Sequence, residues 1–121
     1  MNVLLVDDNE WIRSGIKLLF ASENWMQIIG ECSNGSEAIA YLEENEGVDL
    51  ILMDVSMPVL DGIQATRHIK REKKHIKIIM LSMHDEENYI SASSEAGADA
   101  YIRKDSDPCE IVRIIKEIGL Q

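Results

Sequence analysis

Short apolar runs punctuate the chain at residues 3–6, 28–29, 50–53, 76–81 and 100–102. They are too short for helices and mostly continuous rather than alternating, as strands buried on both faces are. Helical spacing fills the gaps. Ile12, Ile16, Leu19 and Phe20 share one face of a first helix, and Ala38, Ile39 and Leu42 mark a second. Ile63, Thr66 and Ile69 mark a third, and Tyr89, Ala92 and Ala96 a fourth. The fifth is the best delimited, with Asp107 as N-cap and Pro108 in the first helical position. Ile111, Ile114, Ile115 and Ile118 follow at core spacing, with Val112 beside them as a hint of a second apolar face. Five strands alternating with five helices predict one α/β domain over residues 1–121, a parallel sheet covered on both faces. The fourth helix is the weakest, because Ser91, Ser93 and Ser94 are poor helix formers and its apolar face is small. A loosely held element beside a polar site is where a conformational switch can reside.

The polar residues at the strand ends carry the chemistry. Asp7 and Asp8 follow the first run, Asp54 the third, Ser82 the fourth and Lys104 the fifth. In an open α/β sheet, ligands bind beyond the carboxyl ends of the strands, at the point where the strand order reverses. If the first and third strands are neighbours there, three carboxylates converge, and like charges at close range demand a cation between them. A hard divalent ion with oxygen ligands meets that demand, Mg²⁺ where phosphate chemistry is involved. A carboxylate is also a nucleophile toward phosphorus. Phosphoryl transfer asks mainly for positioning and for charge neutralisation. Asp8 and Asp54 would hold the metal with Asp7 tuning it indirectly, Lys104 would supply a mobile point charge, and Ser82 one hydrogen bond.

Composition narrows the partners. The formal net charge of −10, from 22 acidic and 12 basic residues, repels nucleic acid and favours proteins or a cation. No stretch approaches the length of a membrane span and no secretion-like leader opens the chain, which points to the cytoplasm. Cys32 and Cys109 have no metal spacing and read as reduced packing residues. His68 and His75 read as surface residues.

With these residues in place, the chain resembles a two-component response-regulator receiver domain from end to end, with the flavour of the NarL/FixJ group. The resemblance rests on Asp7-Asp8 after the first strand and on Leu52-Met53-Asp54-Val55-Ser56-Met57-Pro58 at the third. It continues through Asp61-Gly62 at the third helix, Ser82, and Gly97-Ala98-Asp99-Ala100-Tyr101 with Lys104. It implies a flavodoxin-like, doubly wound, five-stranded parallel sheet of order 2-1-3-4-5 with five helices; that order comes from the resemblance, not from spacing. It further implies that Asp54 accepts a phosphoryl group from a sensor histidine kinase. Asp8, Asp54 and the main-chain carbonyl of Ser56 would ligate Mg²⁺, with Asp7 in support. Lys104 would contact the phosphoryl group, and Ser82 with Tyr101 would form the switch pair. Ser56 and His84 would modulate the access of water to the acyl phosphate.

Two departures qualify it. Many receivers place proline after the lysine with that peptide cis; here Asp105 follows Lys104, and a non-proline cis bond costs roughly 3 kcal/mol. Ser82 stands where threonine is commoner. A flavodoxin-like electron carrier would need a first loop that cradles phosphate, whereas Asp7-Asp8-Asn9-Glu10 repels it. A haloacid-dehalogenase-type phosphatase would need a second acid where Ser56 stands. A degenerate receiver that only binds partners would not need Asp8, Asp54 and Lys104 together. The expected output is transcription through a helix-turn-helix DNA-binding domain beyond Gln121, with a phosphorylation-dependent homodimer as one route and no direct DNA contact by these residues. The alternative is a stand-alone receiver acting through protein–protein contacts.

Overall fold

A computed structural model describes all 121 residues. The elements alternate strictly: β1 (Asn2–Val6), α1 (Glu10–Phe20), β2 (Gln27–Cys32), α2 (Gly35–Glu44), β3 (Leu50–Asp54), α3 (Gly62–Glu72), β4 (Lys77–Ser82), α4 (Glu87–Ala96), β5 (Ala100–Arg103) and α5 (Pro108–Gly119). The strands form one parallel sheet of order β2-β1-β3-β4-β5, as the resemblance implied. Order reverses between β1 and β3, so their carboxyl ends open one crevice.

Because successive side chains of a strand point to opposite faces, each apolar run feeds two cores. Leu4, Val6, Ile51, Met53, Ile78 and Met80 pack with Ala38 and Leu42 of α2 and Ala65 and Ile69 of α3. Val3, Leu5, Leu50, Leu52, Ile79 and Leu81 pack with Phe20 of α1 and Ile111 and Ile115 of α5. Two strands reach further than the apolar runs alone indicate. Asp54 and Ser82 are the last residues of β3 and β4 rather than the first beyond them, because Asp54 still pairs with Leu81 and Ser82 with Arg103.

Capping sets where the helices start. Asn9 accepts hydrogen bonds from the amides of Trp11 and Ile12, and Asp61 forms a capping box with Gln64. Asp107 caps α5 through the Cys109 amide, with Pro108 in the first turn as the sequence predicts. By contrast, α4 has Glu86 as an N-cap that makes no side-chain hydrogen bond, and it ends on Gly97 at φ 107°, in the left-handed region. Its weakness is therefore visible at its first turn. Cys32 is buried at the end of β2, but Cys109 is exposed, which corrects its reading as a packing residue: it lies on the solvent side of the first turn of α5.

Candidate functional site

The crevice gathers the predicted residues. Val6 leads directly into Asp7, which is 2% exposed, and Asp54 ends β3 at 7% exposed. Asp8 is exposed beside them, and carboxylate oxygens of Asp7, Asp8 and Asp54 lie within 4.8 Å of one another. Lys104 enters from the exit of β5: its ammonium is 2.7 Å from Asp7 Oδ2 and 3.0 Å from Asp54 Oδ1. The Lys104 amide donates to the Ser82 carbonyl at 2.9 Å, which locks its base to the end of β4.

These bonds divide the acids into two roles. Both oxygens of Asp7 are engaged, one by Lys104 and the other by the Asn9 amide at 2.9 Å. Asp54 gives one oxygen to Lys104, and no protein donor reaches the other. Asp8 has no hydrogen bond or ion pair within the protein. The free acceptors are thus Asp8 and one oxygen of Asp54, on the open side of the site. With three carboxylates against one ammonium, the fully ionised site carries about two excess negative charges, a match for one divalent cation. The all-oxygen donor set suits a hard ion rather than a soft one.

Electrostatics follow from burial. Desolvation is the largest influence on Asp54 and lifts its carboxyl to about 6. Lys104 opposes that rise, while the charges of Asp7 and Asp8 add to it. For Lys104, burial works against the charge, but hydrogen bonds and charge from Asp7 and Asp54 outweigh it and hold the ammonium above its ordinary value. Lys104 is therefore cationic wherever Asp54 titrates.

Around this centre, Ser82 is fully buried, and its Oγ accepts from the His84 amide at 3.0 Å, which leaves the hydroxyl proton to donate elsewhere. The Tyr101 ring is half-buried against the core below α3 and α4, and its hydroxyl donates to the His84 carbonyl at 2.7 Å. One peptide residue, His84, thus links both expected switch residues. Its imidazole stacks on Tyr89 at a centroid distance of 4.5 Å, partly exposed and directed along the loop. Ser56 is exposed two residues past Asp54, and its carbonyl accepts none of the turn and loop hydrogen bonds of the backbone. The 104–105 peptide is trans, as are all others.

Three residues contribute in ways that the sequence alone does not show. Arg13 donates to the Asp7 carbonyl and pairs with Glu31 at 3.1 Å, tying the acidic turn to α1 and β2. Its signal is an arginine one turn into the helix that follows the acid pair. Gly62 begins α3 flush against β3: a Cβ there would overlap the Asp54 carbonyl oxygen. Its amide donates to the Val55 carbonyl at 2.9 Å, so glycine is required for the close approach that seats Asp54. Arg103 joins Asp85, after β4, to Asp105, which follows Lys104.

The comparisons agree with this geometry. Residues 3–116 match the model of the response regulator receiver domain. The response regulator UvrY of Escherichia coli K12 is 40% identical over 118 residues, which is 98% of this chain and 54% of that protein. The response regulator protein VraR of Staphylococcus aureus is 36% identical over 97% of this chain and 56% of its own length. The chain therefore spans about half the length of the curated relatives it matches. Among solved structures, a LuxR-family two-component response regulator from Aurantimonas sp. superposes with a TM-score of 0.91 at 32% identity, covering 98% of this chain and 84% of that one. The CheX–CheY–BeF3–Mg complex of Borrelia burgdorferi gives 0.86 at 29% identity, over 97% and 88%. Fold, acidic crevice and relatives converge: the chain belongs to the response regulator receiver domain family of two-component systems.

Proposed function

We propose that Asp54 is the phosphoacceptor of this receiver and that a sensor histidine kinase is the donor. The observation that carries this is the state of its two carboxylate oxygens: one is held at 3.0 Å by Lys104 and the other is free on the open side of the crevice. In the transfer, the free oxygen bonds to phosphorus as the P–N bond of the donor phosphohistidine breaks. The electron pair of that bond passes to the leaving nitrogen, and the ring, already protonated on its other nitrogen, departs as neutral imidazole. Lys104 neutralises charge on the phosphoryl oxygens, and Ser82 directs its spare proton to one of them.

Asp8, the carboxylate of Asp54 and the Ser56 carbonyl are the groups that would hold Mg²⁺, with Asp7 orienting the set through Lys104 and Asn9. When bound, that ion supplies the Lewis-acid charge neutralisation that phosphoryl transfer requires. The domain turns over no substrate of its own; its chemistry is limited to gaining and losing its phosphoryl group. Ser56 and His84, each two residues past a site residue, modulate water access to the acyl phosphate.

The output follows from Ser82 and Tyr101 through His84 into α4. Residues 1–121 act as one receiver unit, and relatives that carry transcriptional names support an output through a helix-turn-helix DNA-binding domain outside them. An apolar groove of about 580 Å³ between α1 and α5, lined by Ile12, Leu19, Met83 and Pro108, offers a surface for phosphorylation-dependent homodimerisation. No helix is long and apolar enough to cross a membrane, in keeping with a cytoplasmic setting.

The test is intact-mass measurement after incubation with a small-molecule phosphodonor and Mg²⁺. The wild type should gain one phosphoryl group that hydroxylamine removes, and Asp54→Asn should gain none. The same gain at the same rate in Asp54→Asn would refute the assignment.

A further inference from the structure

The β4–α4 loop, residues 83–86, carries the switch connection but has little support from the helix it enters, because α4 has no side-chain cap. Its support comes from β5. Tyr101 and Arg103 are two residues apart in that strand and so share a face. They take hold of consecutive loop residues: the Tyr101 hydroxyl reaches the His84 carbonyl at 2.7 Å, and Arg103 Nη1 reaches Asp85 Oδ2 at 2.5 Å. The same guanidinium grips Asp105 with a two-pronged fork, Nε to Oδ1 at 3.0 Å and Nη2 to Oδ2 at 2.8 Å. Asp105 directly follows Lys104, and Ser82 pairs with Arg103 across the sheet. One cation therefore joins the two loops that flank Ser82 and Lys104.

We infer that Arg103 is a positioning residue for the switch: by holding Asp85 against Asp105 it keeps residues 83–86 where Tyr101 meets His84, and so governs how strongly occupation of Asp54 is felt in α4. This rests on the receiver reading above. The plain alternative is a solvated surface ion pair, and exposed pairs are commonly worth little. Two features set this one apart. The fork to Asp105 is bidentate, the geometry that fixes a guanidinium in place. And Asp105 occupies the position where many receivers have proline, which has no carboxylate to offer the clasp.

Amide hydrogen exchange on the whole chain tests it, with and without beryllofluoride and Mg²⁺. In Arg103→Ala, exchange over residues 83–90 should quicken about three- to five-fold without beryllofluoride, the scale of one well-formed exposed network. The denaturation midpoint should fall by no more than that local loss, since the same contacts are absent from the unfolded chain. Arg103→Lys, which keeps the charge and loses the fork, should fall between, and adding Asp85→Asn to Arg103→Ala should cause no further change. The protection that beryllofluoride confers on α4 in the wild type should shrink in Arg103→Ala. Equal exchange over residues 83–90 in wild type and Arg103→Ala, or an undiminished beryllofluoride response of α4 in Arg103→Ala, overturns the inference while leaving the phosphoacceptor reading intact. A wild type that shows no beryllofluoride response at all and takes up no phosphoryl group overturns both.

Discussion

The Lys104 ammonium lies 3.0 Å from Asp54 Oδ1 and leaves the second oxygen of that carboxylate free. One cation thereby orients the acid and leaves one of its oxygens open to the crevice. Nothing in either residue alone requires this; it follows from β3 and β5 ending at the same edge of a parallel sheet, with β4 between them. The consequences reach from stability to chemistry.

The Asp54 carboxyl makes folding pH-dependent. Its ordinary value of 3.8 is raised to about 6 in the folded chain, first by desolvation. A raised carboxyl binds its proton more tightly when folded, so its favourable contribution is fully present below pH 3.8 and lost as pH rises through about 6. Above that, the buried charge costs at most about 3 kcal/mol. Asp54→Asn should therefore be the more stable protein at pH 7 by about 1–3 kcal/mol, and the difference should vanish near pH 4. Denaturant unfolding of both proteins across pH 4–8 measures it; a gap that does not change with pH contradicts the cause given.

Metal binding should depend on Asp8. It is the exposed acid with no partner in the protein, so its loss removes a ligand charge without disturbing Lys104. Asp8→Ala should weaken Mg²⁺ binding by about ten-fold or more, since affinity follows ligand charge. Calorimetric titration reads this directly, and Trp11, 86% exposed three residues on, is a candidate fluorescence reporter. An unchanged dissociation constant would remove Asp8 from the site.

Gly62→Ala should damage the site from behind. The added methyl overlaps the Asp54 carbonyl oxygen, a backbone atom that cannot move aside cheaply. A loss of at least about 2 kcal/mol is expected, with slower phosphoryl uptake in the protein that still folds. Gly15→Ala, where a Cβ meets nothing within 4 Å, should be neutral or slightly stabilising in its helix. Thermal unfolding of the two variants side by side separates site geometry from the general effect of adding a methyl group.

Val59 should be strained. It is a β-branched residue at φ 70°, 81% exposed, in the loop between Asp54 and α3. Val59→Asn, which tolerates the left-handed region, should raise stability by about 1 kcal/mol. A loss of stability on that substitution would mean that the valine side chain makes a contact worth more than the strain.

Much of this architecture is legible in the sequence because the core is built from continuous apolar runs, and a polar residue ending such a run is conspicuous. Asp7, Asp54 and Ser82 announce themselves in that way, with Asp8 and Lys104 one residue further along. Arg103 and Arg13 do not. Their partners, Asp85 and Glu31, are each 18 residues away, on other elements, and no local spacing encodes such a meeting. Gly62 is legible as a helix opener but not as the floor beneath Asp54, because that contact exists only once α3 is folded back on β3. Cys109 misleads for a different reason: the lack of metal spacing shows only that it has no ligand partner nearby, not that it is buried, and the first turn of α5 faces it outward.

One carboxylate, Asp54, should be the sole site that receives the phosphoryl group. Borohydride reduces an acyl phosphate to the corresponding alcohol and so records the acylated position permanently. The phosphorylated protein, trapped in this way and digested, should carry the alcohol at residue 54 alone, with Asp7 and Asp8 unmodified. The alcohol at Asp7 or Asp8, or an unmodified Asp54 in protein that has gained a phosphoryl mass, would contradict the account.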